Sequence, residues 1–163
     1  MTKNARVSET PATAFLKKHR VPYTEHVFEY VEHGGARAGA EALGFEERAV
    51  VKTLIMEDDN ATPMIVLMHG DREVSTKNLA RFLRVKSVRP CAPQVADRHS
   101  GYQVGGTSPF GTRRAMRVYM ERTIADLPRV YVNGGRRGYL VGLSPADLVR
   151  VLKPTPIDVA IVP

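Results

Sequence analysis

The sequence has one cysteine, no tryptophan, and aromatic residues at only 7%. A lone thiol, Cys91, excludes an internal disulfide framework and fits a reducing cytosol. Long apolar runs are also missing. Stretches such as Leu54–Met56 and Ile65–Met68 fall far short of the ~18 residues a membrane span needs. Met1–Glu9 carries two cations with no apolar stretch behind it, so it does not read as a secretory signal. The expectation is a cytoplasmic protein without membrane contact. The five histidines, His19, His26, His33, His69 and His99, show no HExxH or HxxxH spacing, and one cysteine makes no thiolate cluster. No zinc site is expected. No Gly-Lys-Ser/Thr ending or complete GxGxxG is present, and Ser108 lacks a GxSxG context. These gaps argue against a cofactor, a metal and a serine triad.

The 163 residues suit one domain, residues 1–163, with 43% hydrophobic and 25% charged residues. A chain of this length buries about 68–70% of its unfolded surface, so it folds without staples. Charge is unevenly spread over a net of +7. Residues 1–70 hold 8 basic and 10 acidic side chains, whereas residues 71–163 hold 16 and 7. A basic half fits a polyanionic partner such as nucleic acid, and equally a solubilising surface.

Punctuation and period divide the chain. Thr10-Pro11 starts a helix running to about His19, followed by an extended Tyr23–Tyr30. Arg37–Leu43 is helical and stops at Gly44. Ala49–Met56 and Met64–His69 read as neighbouring strands. Ser75 caps a basic helix, Thr76–Leu83, with a short strand at Val85–Arg89 and a helix at Pro93–His99 closed near Gly101. Met116–Met120 and Val130–Asn133 read as strands, and Gly134–Gly138 is a basic hairpin turn into Tyr139–Leu143. Ser144-Pro145 starts the last helix, and the tail with Pro154 and Pro156 is an edge strand. The order predicts an α+β fold around a mixed or barrel-like sheet.

Two features draw attention as chemistry. Lys52 shares a strand face with Val50, Leu54 and Met56, where an ammonium is costly unless it reaches water or an anion. Snorkelling at a strand end is the plain alternative. Gly101–Gly111 holds four glycines in eleven residues, whose free N–H groups suit an anion or a carbonyl oxygen. An ordinary turn is the plain alternative there. Cys91 names no base and reads as a buried structural thiol.

Val51-Lys52-Thr53-Leu54, Ser108-Pro109-x-Gly111 behind Gly105-Gly106-Thr107, and Gly134-Gly135-Arg136-Arg137-Gly138 occur in this order. With Thr10-Pro11-Ala12, Glu41-Ala42 between Gly39 and Gly44, and Ser144-Pro145-x-Asp147-Leu148, they resemble the YbaK family along nearly the whole chain. These proteins are free-standing relatives of the editing domain inserted in bacterial prolyl-tRNA synthetases. The resemblance implies a six- or seven-stranded barrel-like mixed sheet with flanking helices. It also implies a deacylase acting in trans on mischarged aminoacyl-tRNA.

By the same resemblance, Lys52 holds the phosphate or ribose end of the terminal adenosine. Gly105 and Gly106 supply N–H groups to the aminoacyl carbonyl, with Thr107, Ser108, Pro109 and Gly111 in the same substrate loop. Catalysis is assisted by substrate groups, such as the adenosine 2′-hydroxyl or a cysteine thiol, with an activated water in some members, and without a protein nucleophile. Phe28 stands where cysteine-editing members carry Tyr, with Tyr30 on its face, and Leu140 where some carry Asp or Ser. Both changes strip polar groups from the side-chain pocket, so alanine, serine and threonine esters stand beside cysteine. The implied partners are the acceptor end of aminoacyl-tRNA and a synthetase such as prolyl-tRNA synthetase. Lys77, Arg81 and Arg84 form one helical stripe. With Arg113, Arg114, Arg136 and Arg137, they are expected to grip the acceptor stem. A noncatalytic RNA-binding module of the same fold is the rival reading, and a small-nucleotide binder is a third.

Overall fold

The computed structural model describes residues 9–163. The reading of Met1–Glu9 as no secretory signal therefore falls almost entirely outside the described residues. Five helices and ten strands follow in order. Helix α1 (Pro11–Lys18) starts where Thr10 closes a capping box with Thr13. The Thr10 hydroxyl also donates to the Gly134 carbonyl at 2.6 Å, tying α1 to a distant turn. Strand β1 (Thr24–Val27) is shorter than the extended Tyr23–Tyr30 suggested. Helix α2 (Gly35–Leu43) stops at Gly44 in the left-handed region, φ 75°.

Strand β2 (Lys52–Asp58) pairs antiparallel with β3 (Pro63–Met68), Lys52 opposite Met68 and Ile55 opposite Ile65. The strand expected from Ala49 begins only at Lys52, because Glu47–Ala49 close a 3-10 turn. Every residue of β3 is buried, as a central strand covered on both faces must be. Ile65 and Leu67 face the main core with Leu16, Phe110, Val141 and Leu148. Met64, Val66 and Met68 face a second cluster, covered by Leu79 and Ala80 of helix α3 (Thr76–Leu83). Leu54 and Met56 belong to that second side, so β2 alternates as its period predicts.

The largest sheet has the order β5-β2-β3-β6-β9, with β5 Val88–Pro90, β6 Arg117–Glu121 and β9 Thr155–Ile157. Strand β3 runs parallel to β6, and β6 to β9, so the sheet is mixed. A second sheet has the order β1-β8-β7, from β7 (Val130–Asn133) and β8 (Tyr139–Leu143). The short strands β4 (Glu73–Val74) and β10 (Ala160–Ile161) pair separately. Helices α4 (Pro93–Ser100) and α5 (Pro145–Leu152) complete the fold. None of the described helices is long and apolar enough to cross a membrane.

The expected barrel-like sheet of six or seven strands is corrected here: sheets of five, three and two strands do not close into one. The two larger sheets meet at one parallel bridge, Val50 to Tyr131, where the Val51 N–H donates to the Tyr131 carbonyl at 2.8 Å. The outer strands of the large sheet carry Pro90 and Pro156, which offer no N–H for further pairing.

Candidate functional site

Where the two larger sheets meet, a cavity of about 560 Å³ opens between β2, α2, the segment after β1, the Gly-rich loop and the β7–β8 turn. Its volume falls in the range of small-ligand sites. Phe28 and Leu140 form part of its apolar wall, and both pack on Gly39 of α2. Lys52 lines the same cavity, half-buried at the first position of β2. Its ammonium donates to the Arg72 carbonyl in the turn after β3. Burial lowers the Lys52 pKa, against the opposing pull of Glu73, Glu47 and Asp71.

That turn passes so close to its neighbours that a Cβ on Gly70 would overlap the Glu47 and Val50 carbonyl oxygens. Gly70 was not singled out in the sequence. A Gly-Asp pair closing an apolar strand is the signal that marks its turn.

The Gly-rich loop lies against Tyr30 and the hairpin turn. A Cβ on Gly105, φ 92°, would stand 2.6 Å from the Tyr30 hydroxyl. One on Gly106 would stand 2.7 Å from Arg136 and Arg137 backbone atoms. The Gly106 N–H is committed to the Gln103 carbonyl at 2.7 Å. The N–H groups of Gly105 and Thr107 bond to no partner among the described residues. Gly105 and Thr107 line the cavity, whereas Gly106, Ser108, Pro109 and Gly111 do not. The buried Ser108 hydroxyl accepts the Phe110 N–H at 3.2 Å, and Gly111 rests on the Pro11 carbonyl behind the loop.

Asn133, unremarked in the sequence, joins the loop to the turn. Its Nδ2 donates to Gly105 and Arg136 carbonyls at 3.3 and 3.0 Å. Its Oδ1 accepts the Gly135 and Arg136 N–H groups at 2.7 and 3.1 Å. Arg137 donates from Nε to the Val104 carbonyl at 3.0 Å, and its guanidinium lies 4.8 Å from the Tyr30 ring centroid. Asn and Gly at a hairpin signal a turn in sequence, but not which loop the amide holds.

The other expected cations are scattered. Lys77, Arg81 and Arg84 belong to α3 and its C-cap, on the second-cluster side, and none lines the cavity. Arg113 packs over Gly101. Arg114 and Arg117 line a separate cleft of about 320 Å³ beside Asp58, at the far end of β2 from Lys52. Arg137 lines the main cavity, and Arg136 is next to it on the turn. Cys91 also lines it, with Sγ 3.7 Å from Glu57 Oε1. Burial, then Glu57, push this thiol up to about 11. It stays protonated at neutral pH and makes a poor nucleophile.

Similarity to known proteins follows the same segments. The model of the aminoacyl-tRNA editing domain matches residues 34–151, which hold every wall of the cavity except the residues after β1. A protein of Enterococcus faecalis named "Putative Cys-tRNA(Pro)/Cys-tRNA(Cys) deacylase EbsC" is 30% identical over 150 residues, 91% of this chain and 92% of that one. A proline–tRNA ligase of Levilactobacillus brevis is 28% identical over 93 residues, 57% of this chain but 16% of the ligase. Among solved structures, "hypothetical protein APE2540" superposes with a TM-score of 0.84 at 23% identity, over 93% of this chain and 99% of that one. "A putative trans-editing enzyme for prolyl tRNA synthetase" superposes at 0.81 and 18%, over 95% and 99%. These two structural likenesses speak for the fold. The family model and the relative that matches end to end speak for descent, and by them the chain belongs to the YbaK-like family of aminoacyl-tRNA editing domains.

Proposed function

We propose that this chain works in trans, as one free-standing domain, hydrolysing the ester of tRNA mischarged with a small amino acid. Cysteine, alanine, serine and threonine are the candidates. The observation that carries this reading is the single cavity shared by Lys52 and the open N–H groups of Gly105 and Thr107. Its volume suits an aminoacylated adenosine. Phe28, Gly39 and Leu140 give one wall an apolar surface for a small side chain.

Hydrolysis breaks the bond between the aminoacyl carbonyl carbon and the ribose 3′-oxygen. Water adds to that carbon, and negative charge gathers on the carbonyl oxygen. The unpaired N–H groups of Gly105 and Thr107 would be the donors that stabilise this charge. The leaving 3′-oxygen takes a proton, giving free amino acid and tRNA. Lys52 would exchange the neutral Arg72 carbonyl for a phosphate or ribose oxygen of the acceptor end. A phosphate oxygen would add an opposite charge to a bond that the ammonium already makes charge-assisted. Cys91, protonated and tied to Glu57, leaves the water and substrate groups as nucleophile and proton carriers.

Arg136 and Arg137 stand next to the cavity mouth for the phosphates that follow the terminal adenosine. Arg113, Arg114, Lys77, Arg81 and Arg84 would meet more distant phosphates. A prolyl-tRNA synthetase is the natural partner, and the cytoplasm the natural compartment. A panel of tRNAs charged with cysteine, alanine, serine, threonine and proline, scored for amino-acid release, tests the reading. Release from none of them, with tRNA still bound, would leave the noncatalytic RNA-binding module in its place.

A further inference from the structure

Three consecutive N–H groups of the Gly-rich loop meet different fates. The Val104 N–H donates to Asp97 Oδ1 at 3.1 Å, and the Gly106 N–H to the Gln103 carbonyl. The Gly105 N–H between them has no partner among the described residues. What fixes its direction is the carbonyl on the other side of its own peptide bond. That carbonyl, of Val104, accepts the Arg137 Nε–H at 3.0 Å.

A trans peptide is planar, its C=O and N–H pointing opposite ways, and none of the described peptide bonds is cis. Holding the Val104 oxygen toward Arg137 therefore turns the Gly105 N–H away from it. Gly105 supplies no stiffness of its own, since glycine takes either sign of φ and here has 92°. Arg137 is itself steadied by the Tyr30 ring, 4.8 Å from its guanidinium. The two side chains close on Gly105 so tightly that a Cβ there would come within 3.1 Å of both Arg137 Nε and Tyr30 Cε1. Among the described residues the Arg137 side chain makes no other hydrogen bond or ion pair. A phosphate would take its terminal N–H groups and leave Nε where it is.

Resting on the reading that the Gly105 N–H meets the aminoacyl carbonyl, we propose that Arg137 is a positioning residue for that N–H, acting through the Val104–Gly105 peptide plane. Its charge serves tRNA binding and its Nε–H serves ester hydrolysis, so the two roles separate atom by atom.

Two substitutions divide them. Glutamine places an amide N–H as many bonds from the backbone as the arginine Nε, without the charge, whereas lysine keeps the charge and places a methylene there. Arg137 is exposed, so neither change disturbs the core. On the charged tRNA that wild type deacylates, Arg137→Lys should lower kcat roughly ten-fold, the scale of one hydrogen bond left unmade. The salt slope of its tRNA binding should stay that of wild type. Arg137→Gln should keep kcat near wild type, raise KM and flatten the slope. Lysine keeping kcat, or glutamine losing as much of it, would overturn the positioning role and leave Arg137 a charge contact. Amide relaxation by NMR reads the positioning without turnover, in the substrate-free protein. The Gly105 amide should be as ordered as its neighbours in wild type and Arg137→Gln, and mobile in Arg137→Lys. Equal order in all three would overturn the Arg137 role while leaving the site reading intact. If wild type releases no amino acid from any tRNA of the panel, the site reading falls and the proposal with it.

Discussion

The Lys52 ammonium and the Arg72 carbonyl are hydrogen-bonded across the turn that Gly70 brings in under β2. The ammonium is thus already stripped of part of its water and held by a neutral acceptor. Lys52→Ala should lower kcat/KM for ester release by at least about 10²-fold, the scale of losing one key transition-state contact. Bulk tRNA affinity should change far less, which filter binding on the same samples checks. Turnover near wild type would remove Lys52 from the site.

The same residue predicts a pH dependence. Burial lowers its pKa below the ordinary value near 10.5, so the unfolded chain binds the proton more tightly than the folded one. Stability therefore rises with pH between the lowered value and 10.5, and protonated Lys52 is a burden on the fold at neutral pH. Lys52→Met should melt higher than wild type at pH 7, with the difference shrinking toward pH 10. Deacylation that needs the cation should fall on the alkaline side with a midpoint below 10.5, after correction for spontaneous hydrolysis. An alkaline limb unchanged in Lys52→Arg would assign it to another group.

Cys91 is the opposite case, a thiol in the cavity that the chemistry leaves alone. Cys91→Ser should keep turnover within a few-fold of wild type. With its thiol pushed up to about 11, iodoacetamide should label it far more slowly at pH 7.5 than a free thiol of ordinary pKa. An aminoacyl thioester accumulating on Cys91 would make it the nucleophile after all.

Asn133 makes four hydrogen bonds between the β7–β8 turn and the Gly-rich loop. Asn133→Ala should cost about 1–3 kcal/mol of stability, since two backbone N–H groups lose their acceptor. It should also lower kcat more than it raises KM, because the loop's donors would no longer be held in place. Denaturant melts and steady-state rates separate the two effects. An unchanged kcat in a destabilised variant would confine Asn133 to the fold.

Arg113 and Arg114 test the basic half. If both meet phosphates, the Arg113→Gln/Arg114→Gln variant should flatten the log–log salt dependence of tRNA binding by about 0.7–0.9 per contact. KM should rise while kcat at saturation holds. An identical salt slope would assign the pair to the solvated surface.

Local chemistry made the helices legible. Thr10-Pro11, Ser75 and Ser144-Pro145 fix three starts, and Gly44 and Gly101 fix two ends, because caps act within a few residues. The β2–β3 pair was equally plain, since a strand buried on both faces reads as Met-Ile-Val-Leu-Met. What escaped depends on distant partners. The two-residue strands β4 and β10 are too short to show a period. The missing closure turns on where Val50 meets Tyr131. Within the site, Lys52 and Gly105 are visible as oddities of their own segments. Gly70 and Asn133 matter only through backbone brought in from elsewhere, and the Gly106 N–H is withdrawn by Gln103 three residues before it.

The lone bridge between the two larger sheets bears on what the cavity admits. Among the described residues, Val51 N–H to Tyr131 carbonyl is the one backbone rung where the sheets abut, whereas β1, β7 and β8 on one side and β2 with β3 on the other are laced by full ladders. What closes the joint is the core the two sheets share, with Ile55, Ile65 and Leu67 packed in one cluster with Val132, Val141 and Leu143. The cavity wall at Val51 and Ile55 is thus backed by side chains of both sheets, which sets the depth available to an acyl group, while Lys52 keeps its place at the root of its own strand.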